Sequence, residues 1–186
     1  GIRGGSATVH FPIWHQEIRD ILVLKNNKGT EDNRVRKLDY SIQISKLFYE
    51  RFIQDEEISL FSPHSVPDLF ESFGTPDFDE LYCSYENDKS IPRTTIGAQE
   101  LIMDLLKERS ETGRIYIMNI DHCNEHSSFK DKVSMSNLCQ EITLPTEPIQ
   151  HIDAIDGEIA LCILSAINVG KLKTVSYTHL RAHETV

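Results

Sequence analysis

The chain has 186 residues, of which 39% are hydrophobic and 26% charged, a composition that is ordinary for a globular domain with its own core. Its formal net charge of −10 argues against general binding to nucleic-acid phosphates, because such binding needs clustered Lys and Arg. No apolar run reaches membrane-spanning length, and the start is glycine-rich and carries no leader pattern. We therefore expect a cytoplasmic protein that binds neither nucleic acid nor membrane.

Strand and helix patterns alternate along the chain. In chain order, the pattern predicts a strand at residues 7–13, a helix at 14–24, a strand at 38–44, a helix at 44–52, a strand at 58–61, helices at 78–85 and 95–108, and a strand at 114–120. A polar loop is expected at 121–136, and extended segments are expected at 138–144 and 158–164. This alternation predicts an α/β architecture with parallel strands.

The cysteines allow several interpretations. There are four of them: Cys83, Cys123, Cys139 and Cys162. In a secreted protein they could form two disulfides, whereas thiols in the cytosol are more often catalytic or metal-binding. His122, Cys123, His126 and Cys139 together offer four zinc ligands, although their spacing fits no common zinc motif well. A non-catalytic, zinc-stabilised binding module is therefore the alternative from another functional class.

One cysteine lies between an amide and a carboxylate, in the segment Asn137-Leu138-Cys139-Gln140-Glu141. If the segment is extended, the amide, the thiol and the carboxylate share one face, because successive side chains alternate. Such a face can combine radical or redox chemistry with proton transfer. Taken singly, the three residues would be a turn amide, a buried thiol and a surface carboxylate.

Residues 136–141 (Ser-Asn-Leu-Cys-Gln-Glu) resemble the finger loop of the large subunit of ribonucleotide reductase. Further similar segments follow in the same order as in that family: residues 1–5, 14–15, 24–29, 61–63, 112–116, 121–124 and 157–162. The resemblance implies that residues 1–173 are an internal fragment of the catalytic barrel domain, roughly a quarter of the subunit. It also implies a ten-stranded α/β barrel with the finger loop threading its centre.

The resemblance implies the reduction of ribonucleoside diphosphates to deoxyribonucleotides by thiyl-radical chemistry. Cys139 would be the thiyl residue that removes the 3′-hydrogen, Glu141 the general base for the 3′-hydroxyl proton, and Asn137 the amide that holds the ribose hydroxyls. The whole segment of residues 137–141 would contact the substrate. Cys162 would be one of two reducing cysteines that end as a disulfide, and its partner would lie upstream of this chain.

The glycine-rich residues 1–5 lack the motif of a P-loop and the spacing of a dinucleotide-binding turn. By resemblance, Ile2, Arg3, Gly4 and Gly5 belong to the specificity loop between the deoxynucleotide or ATP effector and the substrate base, with Arg3 contacting the base or its phosphates. Glycine allows such a loop to change conformation. An ordinary glycine turn before a strand is the alternative.

No metal or organic cofactor is expected in this chain. The class I resemblance implies a metal-containing small subunit that supplies the radical, a thioredoxin or glutaredoxin that reduces the disulfide, and a homodimer of the full-length large subunit. Residues 14–29 favour class I over the cobalamin-dependent reductases, which share the Asn-x-Cys-x-Glu motif. We expect the fragment alone to be inactive, because the second reducing cysteine lies upstream and a tyrosine pair downstream.

Residues 174–186 resemble the translation of a transposon-end adapter used in sequencing libraries. We therefore expect a non-native tail that does not pack on the rest of the chain. A genuine polar tail is the alternative.

Overall fold

The computed structural model describes residues 2, 4–28, 30–35, 37–149 and 151–171. Single-turn 3₁₀ helices lie at Glu31–Asn33 and Val169–Lys171. The strands and α-helices are, in chain order, β1 (Thr8–Pro12), α1 (Ile18–Leu22), β2 (Asp39–Ile44), α2 (Lys46–Gln54), β3 (Glu57–Phe61), α3 (Pro67–Ser72), α4 (Phe78–Asn87), β4 (Arg93–Gly97), α5 (Ala98–Thr112), β5 (Ile115–Asn119) and α6 (Ile120–Glu125). Among these residues, no helix is long and apolar enough to cross a membrane.

The main sheet is parallel, with the strand order β1-β2-β5. Thr8 pairs with Asp39 on one side of β2, and Tyr40 pairs with Ile115 on the other. A second sheet joins β3 and β4 in antiparallel register. The predicted α/β class with parallel strands is confirmed. The described residues form five strands, so the ten-stranded barrel stays a prediction.

The two faces of the main sheet differ in polarity. On one face, Tyr40, Ile42 and Ile44 of β2 are almost fully buried in the same core as Leu101 and Leu105 of α5. The opposite face carries Met118 and a larger share of polar side chains, at Thr8, His10, Asp39, Ser41, Gln43 and Tyr116. The apolar face packs against helices, and the polar face is therefore free to receive a polar chain segment.

Aromatic rings form the centre of the core beside the second sheet. Phe48 is 0% exposed and meets Phe73, Phe78 and Tyr82 at ring-centroid distances of 6.3, 6.0 and 5.3 Å. Trp14, also 0% exposed, lies edge-on to Phe73 at 5.9 Å. Tilted and edge-on geometries of this kind favour aromatic pairs beyond the area that they bury.

Two predicted helices begin three or more residues later than the sequence indicates. The helix predicted from residue 14 starts at Ile18, because Trp14 and Gln16 exchange backbone hydrogen bonds with Phe61 at the end of β3. The helix predicted from residue 95 starts at Ala98, because residues 93–97 form β4. Thr94, Thr95 and Ile96 are β-branched, and pairing with β3 outweighed the helical spacing.

The segment 121–136, predicted as a loop, begins with the rest of helix α6. Asn124 connects the helix to the chain that follows, since its side chain donates to Val133 O at 3.0 Å and accepts from Val133 N at 2.8 Å. The polar run after β5 has too little apolar periodicity to indicate a helix.

The two predicted extended segments do not form strands. Residues 138–140 form a turn. Residues 159–168 have no regular structure, and only a bridge between Glu147 and Glu158 pairs this part of the chain. Ile159, Leu161 and Ile163 are 68%, 83% and 95% exposed. The tail predicted at 174–186 lies outside the described residues and stays a prediction.

Candidate active site

The predicted catalytic segment lies against the polar face of the main sheet. We call residues 134–142 the finger segment. Thr8 on β1 donates its hydroxyl to the Leu138 carbonyl at 2.8 Å, and Gln43 on β2 donates its amide to the Ser134 carbonyl at 2.8 Å. Gln43 is only 5% exposed as a result. Side chains of two neighbouring strands therefore attach the finger segment at its first residue and at its centre.

The centre of the finger segment is a tight turn. The Gln140 amide donates to the Asn137 carbonyl at 3.1 Å, and Asn137 and Ile142 pair through their backbones at 3.2 Å. The Asn137 side chain closes the turn by accepting from the Ile142 amide at 3.0 Å. The expectation of one extended face for Asn137, Cys139 and Glu141 is therefore wrong, because a side-chain-closed turn with Gln140 at φ +70° replaces the alternation.

Cys139 and Glu141 are exposed within this turn. Exposure leaves the thiol and the carboxylate accessible to a substrate, while the backbone on both sides is fixed to the sheet. Leu138, between Asn137 and Cys139, is 39% exposed. The sequence pattern assigns Asn137, Cys139 and Glu141 to one face. In the turn, the Asn137 side chain instead supports the backbone, whereas Cys139 and Glu141 are exposed.

Gln140 connects the turn to the polar face of the main sheet. Its Oε1 accepts from the Ser41 hydroxyl at 3.2 Å, and its Nε2 lies 3.3 Å from His10 Nε2. The Ser136 amide donates to the same imidazole nitrogen at 3.4 Å. Ser41 is 0% exposed beneath the segment, and burial lowers the pKa of His10.

Asn137 and Cys162 line one cavity of about 220 Å³. The other lining residues are Met135, Ser136, Ile142, Leu144, Thr146, Ile159, Ala160 and Leu161. Cys162 is exposed, and its sulfur accepts from the Leu164 amide at 3.3 Å. The structure therefore brings the predicted reducing cysteine and the predicted ribose-binding amide to the same cavity, whereas Cys139 and Glu141 do not line this cavity.

A family model described as ribonucleotide reductase, barrel domain, matches residues 1–186. The chain belongs to this family. The α subunit of ribonucleoside-diphosphate reductase from Haemophilus influenzae is 54% identical over 180 residues, which are 94% of this chain and 24% of that protein. Subunit α of reductase 1 from Escherichia coli is 50% identical over 154 residues, with coverages of 80% and 20%. The α subunit from phage T4 is 46% identical over 172 residues, with coverages of 89% and 22%.

The chain therefore spans about a quarter of the length of the curated relatives that it matches. The family assignment made from the finger motif is confirmed. The family model itself is that of a barrel domain, which agrees with the parallel strands and helices described above. The boundary predicted at residue 173 stays a prediction.

The alternative zinc site does not form among the described residues, where no group of three or more His, Cys, Asp or Glu side chains could hold a metal ion. His122 and His126 are exposed, and their ring centroids are 6.0 Å apart. Cys123 packs partly against the core, and burial raises its pKa, with a further rise from Asp121.

The predicted specificity loop is described only in part. Ile2 is fully exposed, and a Cβ atom added at Gly4 or Gly5 would meet nothing within 4 Å. Arg3 lies outside the described residues. At Gly4 and Gly5, therefore, no close approach of neighbouring atoms demands glycine.

Sequence analysis missed the residues that support the finger segment, namely Thr8, His10, Ser41 and Gln43. A usable signal was present in β2, where Ser41 and Gln43 alternate with Tyr40 and Ile42 although all four are buried. A parallel strand that is covered on both faces is usually apolar throughout. Buried polar alternation in β2 therefore indicates a face that a polar segment covers.

Proposed function

We propose that this chain is the part of a ribonucleoside-diphosphate reductase α subunit that carries the radical cysteine and one reducing cysteine. The 54% identity to the Haemophilus influenzae α subunit carries this proposal, because it extends over 94% of the chain and includes the finger segment. The position of that segment on the polar face of a parallel sheet supports it. In the complete protein, the finger loop would lie inside the barrel.

Cys139 is the thiyl residue in this proposal. Its sulfur radical takes the hydrogen atom from C3′ of the ribose and becomes a thiol, which leaves a radical on the sugar. Glu141 accepts the 3′-hydroxyl proton as a general base, a role that requires hydrogen-bond reach to the substrate. Both side chains are exposed on the turn, as such contact demands.

Cys162 is one of two thiols that reduce C2′. Overall, one ribonucleotide and two thiols give one deoxyribonucleotide, one disulfide and one water, and the C3′ hydrogen returns from Cys139 so that the thiyl radical is regenerated. Cys162 lines the same cavity as Asn137, the amide proposed to hold the ribose, and this supports the proposed role. An external dithiol protein, a thioredoxin or glutaredoxin, reduces the disulfide.

The proposed partners follow from the class of enzyme. A separate metal-containing small subunit supplies the radical, a ribonucleoside diphosphate is the substrate, and deoxynucleotides or ATP act as effectors. The full-length large subunit forms a homodimer, and the protein works in the cytoplasm to supply DNA synthesis.

A chimaera tests the catalytic roles. Residues 1–173 replace the matching segment of the Haemophilus influenzae α subunit, and the chimaera is assayed with that organism's small subunit and a ribonucleoside diphosphate. We expect Cys139→Ser to make no deoxynucleotide and to leave radical and substrate unchanged, because a serine O–H bond is too strong to break by the same route. We expect Cys162→Ser to consume the radical and release free base.

Cys83→Ser is the matched control. Cys83 is a half-buried thiol whose sulfur lies 3.9 Å from Arg51 Nη2, away from the finger segment. This variant should keep the activity of the chimaera within about threefold, as expected for a change outside the site. Deoxynucleotide formation by Cys139→Ser, or identical behaviour of the Cys139 and Cys162 variants, would contradict the assigned roles.

A further inference from the structure

Two N–H groups converge on one nitrogen of His10. The Ser136 backbone amide donates to Nε2 at 3.4 Å, and the Gln140 side-chain nitrogen lies 3.3 Å from the same atom. A backbone N–H can only donate, so Nε2 must be the acceptor and His10 must be neutral, with its proton on Nδ1. Gln140 then offers its NH₂ group to His10 and its Oε1 to the Ser41 hydroxyl, as the 3.2 Å contact requires.

The surroundings of His10 also favour the neutral form. Its Nδ1 is buried and has no hydrogen-bond partner among the described residues. Burial lowers the pKa of His10 from its ordinary value and outweighs a smaller rise from the backbone contact with Ser136. On β2, Tyr40 points to the opposite face and Asp39 is paired with Lys25 at 2.5 Å. Tyr116 of β5 lies on the same face as His10, with Ser41 of β2 between them, and Cys139 and Glu141 of the finger segment are exposed.

Protonation of His10 would put a hydrogen on Nε2. This atom would then be a third donor that faces the N–H groups of Ser136 and Gln140. Gln140 can adapt, because rotation of its amide presents Oε1 to the imidazolium and the NH₂ group to the Ser41 hydroxyl, which can also accept. The Ser136 amide cannot adapt and loses its partner. Ser136 directly precedes Asn137, whose side chain closes the turn that carries Cys139.

We propose that His10 is a positioning residue for the radical cysteine: its neutral imidazole holds the finger segment at Ser136 and Gln140, and protonation releases that hold. This inference rests on the proposed function. It makes substrate reduction sensitive to mild acid at a residue that touches neither substrate nor cofactor. A histidine is suited to such control because it changes charge near physiological pH.

The pH profile of the chimaera tests the proposal. Deoxynucleotide formation is measured from about pH 5 to about pH 8 for the parent, for His10→Gln and for His15→Gln. Glutamine keeps an acceptor oxygen and does not titrate. We expect the ratio of parent to His10→Gln activity to fall at least about threefold as the pH falls through the pKa of His10. When protonated His10 exceeds the neutral form tenfold, only about one-tenth of the molecules keep the neutral imidazole that holds the finger segment.

His15→Gln is the matched control for a histidine in the same part of the chain. His15 is half-buried, burial lowers its pKa as well, and it accepts from the Glu17 amide at 3.1 Å without contacting the finger segment. The ratio of parent to His15→Gln activity should stay constant over the whole pH range. His10→Asn repeats the test with a shorter amide, and His10→Leu should lower kcat at neutral pH with little change in KM, because it removes the acceptor at every pH.

A readout independent of turnover is the alkylation rate of Cys139 by iodoacetamide, followed by mass spectrometry. The alkylation rate also depends on the thiolate fraction of Cys139, which changes with pH in both proteins. Dividing the parent rate by the His10→Gln rate removes this shared dependence, and we expect the ratio to change at least about threefold over the same pH range. A flat ratio would overturn the positioning role whether or not the chimaera is active. A changing ratio in a chimaera that makes no deoxynucleotide at any pH would instead overturn the proposed function and leave the histidine contact standing.

Discussion

Phe48 provides the strongest test of the core that supports the finger segment. Its ring is fully buried and meets three other aromatic rings, so Phe48→Ala should leave a cavity at the centre of the cluster. A buried aromatic side chain removes about 150–250 Å² from water, which at about 25 cal/mol per Å² corresponds to about 4–6 kcal/mol. Compactness of the unfolded chain reduces this to about 3–5 kcal/mol, the usual range for such substitutions.

The assay is urea denaturation followed by tryptophan fluorescence. Trp14 is the only tryptophan in the 186 residues, and it packs edge-on against Phe73 in the same cluster. With a denaturant slope of about 2 kcal/mol per molar, Phe48→Ala should lower the unfolding midpoint by about 2 M urea. Phe48→Leu keeps most of the volume but loses the ring contacts, and should cost about 1–2 kcal/mol.

Phe70→Ala is the control, because the same substitution is made on α3 at a side chain that is 49% exposed. Its free energy of unfolding should change by less than about 1 kcal/mol. Equal midpoint shifts for the Phe48 and Phe70 variants would refute the description of the aromatic cluster as the centre of the core.

Glu86→Gln should lower the free energy of unfolding by about 2 kcal/mol, as measured by thermal unfolding. The nearly buried Arg51 guanidinium loses the carboxylate now bonded at 2.6 Å and keeps Glu56, at 4.0 Å, as a more distant charged partner. Glu50→Gln in the exposed pair with Lys46 should cost much less. An equal loss in the two variants would be inconsistent with burial of the Arg51 pair. Iodoacetamide at pH 8 should alkylate Cys123 at least about tenfold more slowly than the exposed Cys162, because burial limits access and raises the Cys123 pKa; equal rates by mass spectrometry would argue against the packing of α6. In the chimaera, Arg3→Ala should change the relative rates with the four ribonucleotides and their response to effectors, since the proposed specificity loop couples two sites; unchanged rates with every effector would remove Arg3 from that role.

The sequence predicted the parallel sheet well because its strands are short alternating or apolar runs with turn residues between them. The elements that it missed depend on contacts distant in sequence. Strand β4 forms because Thr95 and Ile96 pair with β3, and the α1 helix begins late because Trp14 bonds to Phe61. The local sequence pattern contains neither partner. Tertiary pairing therefore overrides the helical spacing of apolar residues at both positions.

The finger segment shows the same limit at the candidate site. The motif identified the family and the residues that are exposed on the turn, whereas strand-like alternation predicted the wrong backbone. Asn137 has a short amide that can hydrogen-bond to its own neighbouring backbone, and such residues favour turns over strands. The histidine beneath the turn could not be predicted, because His10 is separated from Gln140 by 130 positions.

The attachment of the finger segment by side chains has an evolutionary consequence. Within the described residues, no backbone-to-backbone hydrogen bond joins the segment to β1 or β2, and the contacts run through Thr8, His10, Ser41 and Gln43. Mutation at these positions leaves the ladder between the strands and the apolar face untouched. The strand ladder and the placement of the finger segment can therefore change independently in evolution, because substitutions at these four positions can shift the segment without altering the pairing of the strands.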